Sequence, residues 1–117
     1  MPKRLEIRLG AAGDALDRFE AAWHRVAEGR AMRPLEVLSF EGLPSLLRTL
    51  SAARWVLLER LREEGPLSIY ELAKRLGRDY KNVHTDVTQL AAIRLIERQA
   101  DGRVMVPWEW LRAELKL

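Results

Sequence analysis

The sequence contains no cysteine, which excludes a disulfide framework and every thiolate metal site, so the fold must hold by packing alone. Its two histidines, His24 and His84, have no carboxylate at a zinc-ligand spacing. No apolar run approaches the roughly 20 residues of a membrane-spanning helix. The opening MPKRLEIRLG lacks the apolar block of a signal peptide. A cytoplasmic protein without metal, cofactor or membrane partner is therefore expected. A catalytic constellation is missing too. Ser51 and Ser68 stand where helices start rather than on a Gly-x-Ser-x-Gly elbow. The carboxylates fall among Lys and Arg at helical spacings that make surface pairs, not a poised acid and base. Enzymatic activity is not expected. Charge of one sign is also scarce: 20 Lys and Arg face 17 Asp and Glu, for a net charge of +3. Distribution, rather than total charge, must then decide whether a polyanion is a partner.

What is present is apolar material, 48% of 117 residues, enough for the core of one domain. Residues 3–9, KRLEIRL, alternate Leu5, Ile7 and Leu9 with Arg4, Glu6 and Arg8, the period of a strand with one buried face. Over residues 14–28, Leu16, Phe19, Trp23 and Val26 follow helical spacing, and Gly29 offers a stop. PLEVLSF, residues 34–40, suggests a second short strand. Residues 1–41 thus read as a strand-helix-strand unit for dimerisation or partner binding, and residues 42–117 as the second unit. The strand edge RLEIRL and the seam Leu16, Phe19, Trp23 and Val26 are the materials of a two-fold homodimer formed mainly by residues 3–40, with the segment Leu111–Leu117 pairing against the first strand.

That second unit is helical at first. Gly42 and Pro44 open a helix over 43–50. Ser51 caps another over 52–64, which turns Leu57, Leu58 and Leu61 inward and ends at Gly65 and Pro66. Ser68 and Glu71 form a capping box, with Leu67 and Leu72 placed as a hydrophobic staple. The stretch SIYELAKRLGRDYKNVHTDVTQL then keeps helical periodicity on both sides of Gly77 but breaks direction there. Ala73 suits a close helix approach, Gly77 a left-handed turn and Val83 an apolar anchor. In LIERQADGRVMV, Asp101 and Gly102 predict a type I′ hairpin with positive φ at both. The tail PWEWLRAELKL alternates Leu111, Ala113, Leu115 and Leu117 and is read as a strand, which places Trp108 and Trp110 on one face.

The order helix, helix, turn, helix, strand, turn, strand over residues 51–106 resembles the winged helix-turn-helix family of DNA-binding regulators. GPLSIYELAKRLGRDYKNVHTDVTQLAAIRLIER looks closest to MarR-like regulators and small prokaryotic predicted regulators, some of which serve as antitoxins. One departure is Arg94, which stands where such proteins often place glycine. The resemblance implies an α+β fold, a winged helix-turn-helix with an N-terminal strand-helix-strand extension. It also implies a recognition helix at about 79–91 in the major groove and a wing at 95–106.

On that helix Lys81, Thr85 and Thr88 lie opposite Val83, Val87 and Leu90, with His84 on one flank and Asn82 and Gln89 on the other. These are side chains able to bond base edges and phosphates. Tyr80 is nearer the buried side, its hydroxyl within reach of a phosphate. Lys74, Arg75 and Arg78 at the first helix and Arg103 in the wing are the expected phosphate partners, whereas Arg98 reads as a surface charge. The expected function is sequence-specific binding of double-stranded DNA by a homodimeric transcriptional regulator, with a toxin protein as partner in the antitoxin branch. The alternative is a winged-helix docking module that binds protein and no DNA.

Overall fold

A computed structural model describes residues 3–10 and 36–115; the helix read at 14–28 lies outside them. Alternation along the first strand has its expected effect: β1 (Arg4–Leu9) buries Leu5 and Ile7. It pairs in parallel with β2 (Glu36–Phe40) on one side, Leu5 opposite Glu36 through Leu9 opposite Phe40. On its other side lies β5 (Trp110–Ala113), again parallel, with Arg4 opposite Trp110 and Ile7 opposite Ala113. The order β2-β1-β5 makes β1 the central strand. This corrects the expectation that RLEIRL offers an edge to a second copy, because its backbone groups are used on both sides. The tail is a strand, as read, and its partner is β1 of the same chain. The sheet therefore crosses the division drawn at residue 41.

The helices start where their caps require. α1 (Leu43–Thr49) carries Pro44 in its first turn, where the missing N–H has no partner to lose. In α2 (Ala52–Glu64), the Ser51 hydroxyl accepts the Arg54 N–H at 3.3 Å, and Leu57, Leu58 and Leu61 are buried. For α3 (Ile69–Leu76), Ser68 accepts the Glu71 N–H at 3.1 Å. The capping box is only half closed, however. The Glu71 carboxylate accepts from Arg75 Nε at 3.1 Å, one turn ahead, rather than reaching back to Ser68. α4 (Tyr80–Ala92) is capped by Asp79, whose carboxylate accepts the Asn82 N–H at 3.2 Å.

Two tight stops set the chain direction. After α3, Gly77 takes φ 64°, the Gly77 N–H donates to Lys74 at 3.2 Å and the Arg78 N–H to Ala73 at 3.0 Å. After α4, Arg94 takes φ 66°, the only positive φ outside glycine among the described residues. Its N–H donates to Ala91 at 3.1 Å, and the Leu95 N–H donates to Leu90 at 3.0 Å. Both are Schellman closures.

Beyond them β3 (Glu97–Arg98) and β4 (Val104–Met105) form an antiparallel hairpin. Leu67 bridges Val104 with backbone bonds of 3.0 and 2.8 Å and so ties the hairpin to the start of α3. The expected type I′ turn is not made. The loop spans three residues, 100–102, closed by Gln99 N–H to Arg103 O at 2.8 Å and Gly102 N–H to Gln99 O at 3.0 Å. Only Gly102, at φ 88°, is left-handed. Asp101 accepts the Arg103 N–H on its carboxylate at 3.0 Å, a local bond that favours this three-residue turn with a bulge.

The fold is α+β, with one buried cluster drawn from α2, α3, α4, the hairpin and Leu5 of β1. Each fully buried leucine of that cluster contributes about 1.5–3 kcal/mol. Among the described residues no helix is long and apolar enough to cross a membrane. The two C-terminal tryptophans do not share a face, as alternation had suggested. Trp108 precedes β5, is 7% exposed and donates its indole N–H to the Arg94 carbonyl at 2.9 Å, whereas Trp110 is 61% exposed.

Candidate nucleic-acid interface

α4 is the element that could meet a large partner, and its sequence explains why. Val83, Val87 and Leu90 are wholly buried, which turns the opposite face outward. Lys81, Asn82, His84, Thr85 and Thr88 all lie exposed along it. The Thr85 hydroxyl donates to the Lys81 carbonyl at 3.1 Å, leaving its lone pairs outward. Thr88 accepts from Arg98 at 3.4 Å, so this arginine of β3 is brought to the same face. Tyr80, expected to be partly packed, is 49% exposed, and its ring lies 5.8 Å from that of His84.

The arginines of the predicted set are engaged elsewhere. Arg75 pairs with Glu71 at 3.1 Å and with Glu64 at 3.9 Å. Arg78 donates to Asp86 at 2.8 Å. Arg103 holds Asp101 at 2.7 Å, and the hydrogen bonds that Arg103 donates from its backbone and side chain keep the Asp101 carboxyl below its ordinary value. The intended phosphate partners are thus neutralised in place, since each lies beside a carboxylate. Lys74 and Lys81 differ: both are exposed and neither has a carboxylate partner among the described residues.

Sequence reasoning missed the residue that ties this face to the body of the protein. Asp86, mid-helix on α4, accepts Arg54 Nε at 3.0 Å from α2 and Arg78 from the α3–α4 turn. Arg54 also donates to the Thr49 carbonyl at 3.1 Å and to the Gln89 side chain. One carboxylate thereby joins α2, the turn and α4, and Gln89, though exposed, has its side-chain oxygen engaged by Arg54. A signal was available, because aspartate is a poor mid-helix residue and α4 has no other acidic side chain within it. Arg94 was read only as a departure from glycine. It is in fact an exposed cation at the C-terminal end of α4, where positive charge is favoured.

Among the described residues no group of three or more His, Asp and Glu side chains gathers as a metal site would require. Residues 49–113, more than half of the chain, match the model of the HVO_A0114 family, and the chain belongs to that family. The match runs from the end of α1 through β5, so it takes in the whole of the α4 face and the strand that pairs with β1. No curated protein matches the chain.

Proposed function

We propose that the protein is a cytoplasmic, sequence-specific regulator of transcription that binds double-stranded DNA as a MarR-like winged helix-turn-helix. In this reading α3 and α4 are the helix pair, α4 enters the major groove and the β3–β4 hairpin is the wing. The observation that carries it is the row Lys81, Thr85 and Thr88, flanked by Asn82 and His84. It stands exposed on a helix whose opposite side is completely buried. Lys74 and Lys81 are the phosphate-binding cations, and Arg98 joins them at Thr88.

Pairing of Arg75, Arg78 and Arg103 with carboxylates favours the second reading, a docking module for another protein without DNA. Salt separates the two readings. A site selected from random duplexes, followed by fluorescence anisotropy across a salt series, should give a log–log slope of about −0.9 per phosphate contact. Lys81→Ala with Thr85→Ala should keep the fold and lose base discrimination, at about 1–3 kcal/mol per good contact. Absence of any selected sequence, together with salt-independent capture of a protein partner, would replace DNA by docking.

A further inference from the structure

We infer that the outer edge of β5 is the surface by which two copies of this chain associate, strand to antiparallel strand across a two-fold axis centred on Ala113. Among the described residues β5 is an edge strand, its only ladder being the one to β1. An open edge is a template for pairing, and charges on it ordinarily discourage that. Here the charges are self-complementary. With Ala113 opposite its own symmetry mate, Arg112 faces Glu114 of the second copy and Glu114 faces its Arg112, two opposite-charge pairs generated by one contact. Centring on Arg112 or on Glu114 instead would oppose like charges, and centring on Leu111 would set Arg112 against Trp110, so only the Ala113 register makes both ion pairs. The other edge, β2, contains one charged residue, Glu36, and offers no such complement.

The second face of the strand supports the same register. Leu111 is packed against the core, in register with Leu5. It borders a groove of about 320 Å³ between α2 and β5, whose lining includes apolar Trp55, Leu58 and Trp108 and a charged rim of Glu59, Arg62 and Glu63. Trp55 is 43% exposed there and Leu115 is 55% exposed just past the strand. β5 ends at Ala113; its extension through Glu114 and Leu115, which the pairing requires, places Leu115 on the Leu111 side by alternation. In the two-fold arrangement Leu115 of each copy lies opposite Leu111 of the other, beside the mouth of this groove. Strand pairing, two ion pairs and two leucine contacts then come from residues 111–115 of each copy.

The inference stands independently of DNA and is tested without it, by light scattering on the full chain at micromolar concentration. Twice the chain mass is expected. Arg112→Glu places like charges opposite and should weaken association by at least about tenfold, giving monomer. Arg112→Glu combined with Glu114→Arg restores both pairs and should restore the dimer. Circular dichroism of the double variant controls for folding, since its edge has the same composition. Because the chain has no cysteine, Ala113→Cys provides a geometric readout. Oxidation should give a covalent dimer on a non-reducing gel, whereas Glu114→Cys, which lies opposite Arg112, should not. A monomeric parent chain, a dimer indifferent to Arg112→Glu, or a folded double variant that stays monomeric would each overturn the proposal.

Discussion

α3 and α4 end in the same backbone geometry with different residues at the decisive position. Gly77 and Arg94 have φ of 64° and 66°, and each is enclosed by the same pair of backbone hydrogen bonds. At Gly77 the left-handed conformation costs little, and the flanking residues brought together are Ala73 and Arg78, which make no leucine-to-leucine contact. At Arg94 it costs about 1–2 kcal/mol. There the flanking residues are Leu90 and Leu95, both wholly buried, and burial of each contributes about 1.5–3 kcal/mol. Trp108 further holds the Arg94 carbonyl. The first stop is thus written locally, in the residue that occupies it. The second is imposed by the core, which needs Leu95 beneath Leu90 whatever stands between them.

The largest effect should come from removing that apolar contact. Leu95→Ala is expected to cost about 2–5 kcal/mol and to lower Tm on the order of 10 °C. A Tm within a degree or two of the parent would mean that the α4 stop does not depend on the core. Exchanging glycine between the two positions separates local from imposed geometry. A Cβ on Gly77 would meet nothing within 4 Å, so the cost of Gly77→Ala is conformational, about 1 kcal/mol. Arg94→Gly should stabilise by up to about 1 kcal/mol, reduced by the greater freedom of glycine in the unfolded chain. Opposite signs in paired thermal melts are the expected outcome, and equal signs would mean that both helix stops are set in the same way.

This contrast also explains what could be read from the sequence. Caps at Ser51 and Ser68, the stop at Gly77 and the inward set Leu57, Leu58, Leu61, Val83, Val87 and Leu90 depend on neighbours within a few residues, and all were legible. The exposed face of α4 followed from the same periodicity. Pairing of the C-terminal segment with the first strand was expected as part of a dimer and is made within one chain instead; the parallel pairing of β1 with β2 was not legible, because parallel partners are chosen by the whole sheet rather than by local pattern. Neither was the use of Asp86 by two arginines from distant segments. Arg75 is different: Glu71, four residues earlier, was a visible partner. Its neutralisation could have been foreseen, and so could that of Arg103 by Asp101 two residues away.

A third left-handed residue, Gly102, sits at the hairpin tip, and the smallest predicted effect lies beside it. Asp101 accepts two hydrogen bonds from Arg103, at 3.0 and 2.7 Å, and its carboxyl is held below the ordinary value of 3.8. A depressed carboxyl pKa means that the pairing is fully present above that value and is lost only as pH falls through the lower, folded-state pKa. Between pH 5 and 8 this group should therefore leave both the hairpin and any DNA affinity unchanged. Asp101→Asn removes the charge at every pH while keeping an acceptor for the Arg103 N–H, so the turn persists and Arg103 is released. On the proposed DNA-binding reading, affinity should rise severalfold for all sequences alike, with a salt slope steeper by at most about 0.9. Anisotropy titrations of parent and variant at three salt concentrations measure this. An unchanged slope would mean that the hairpin tip does not reach a phosphate, and a gain confined to one sequence would place Arg103 on a base edge instead.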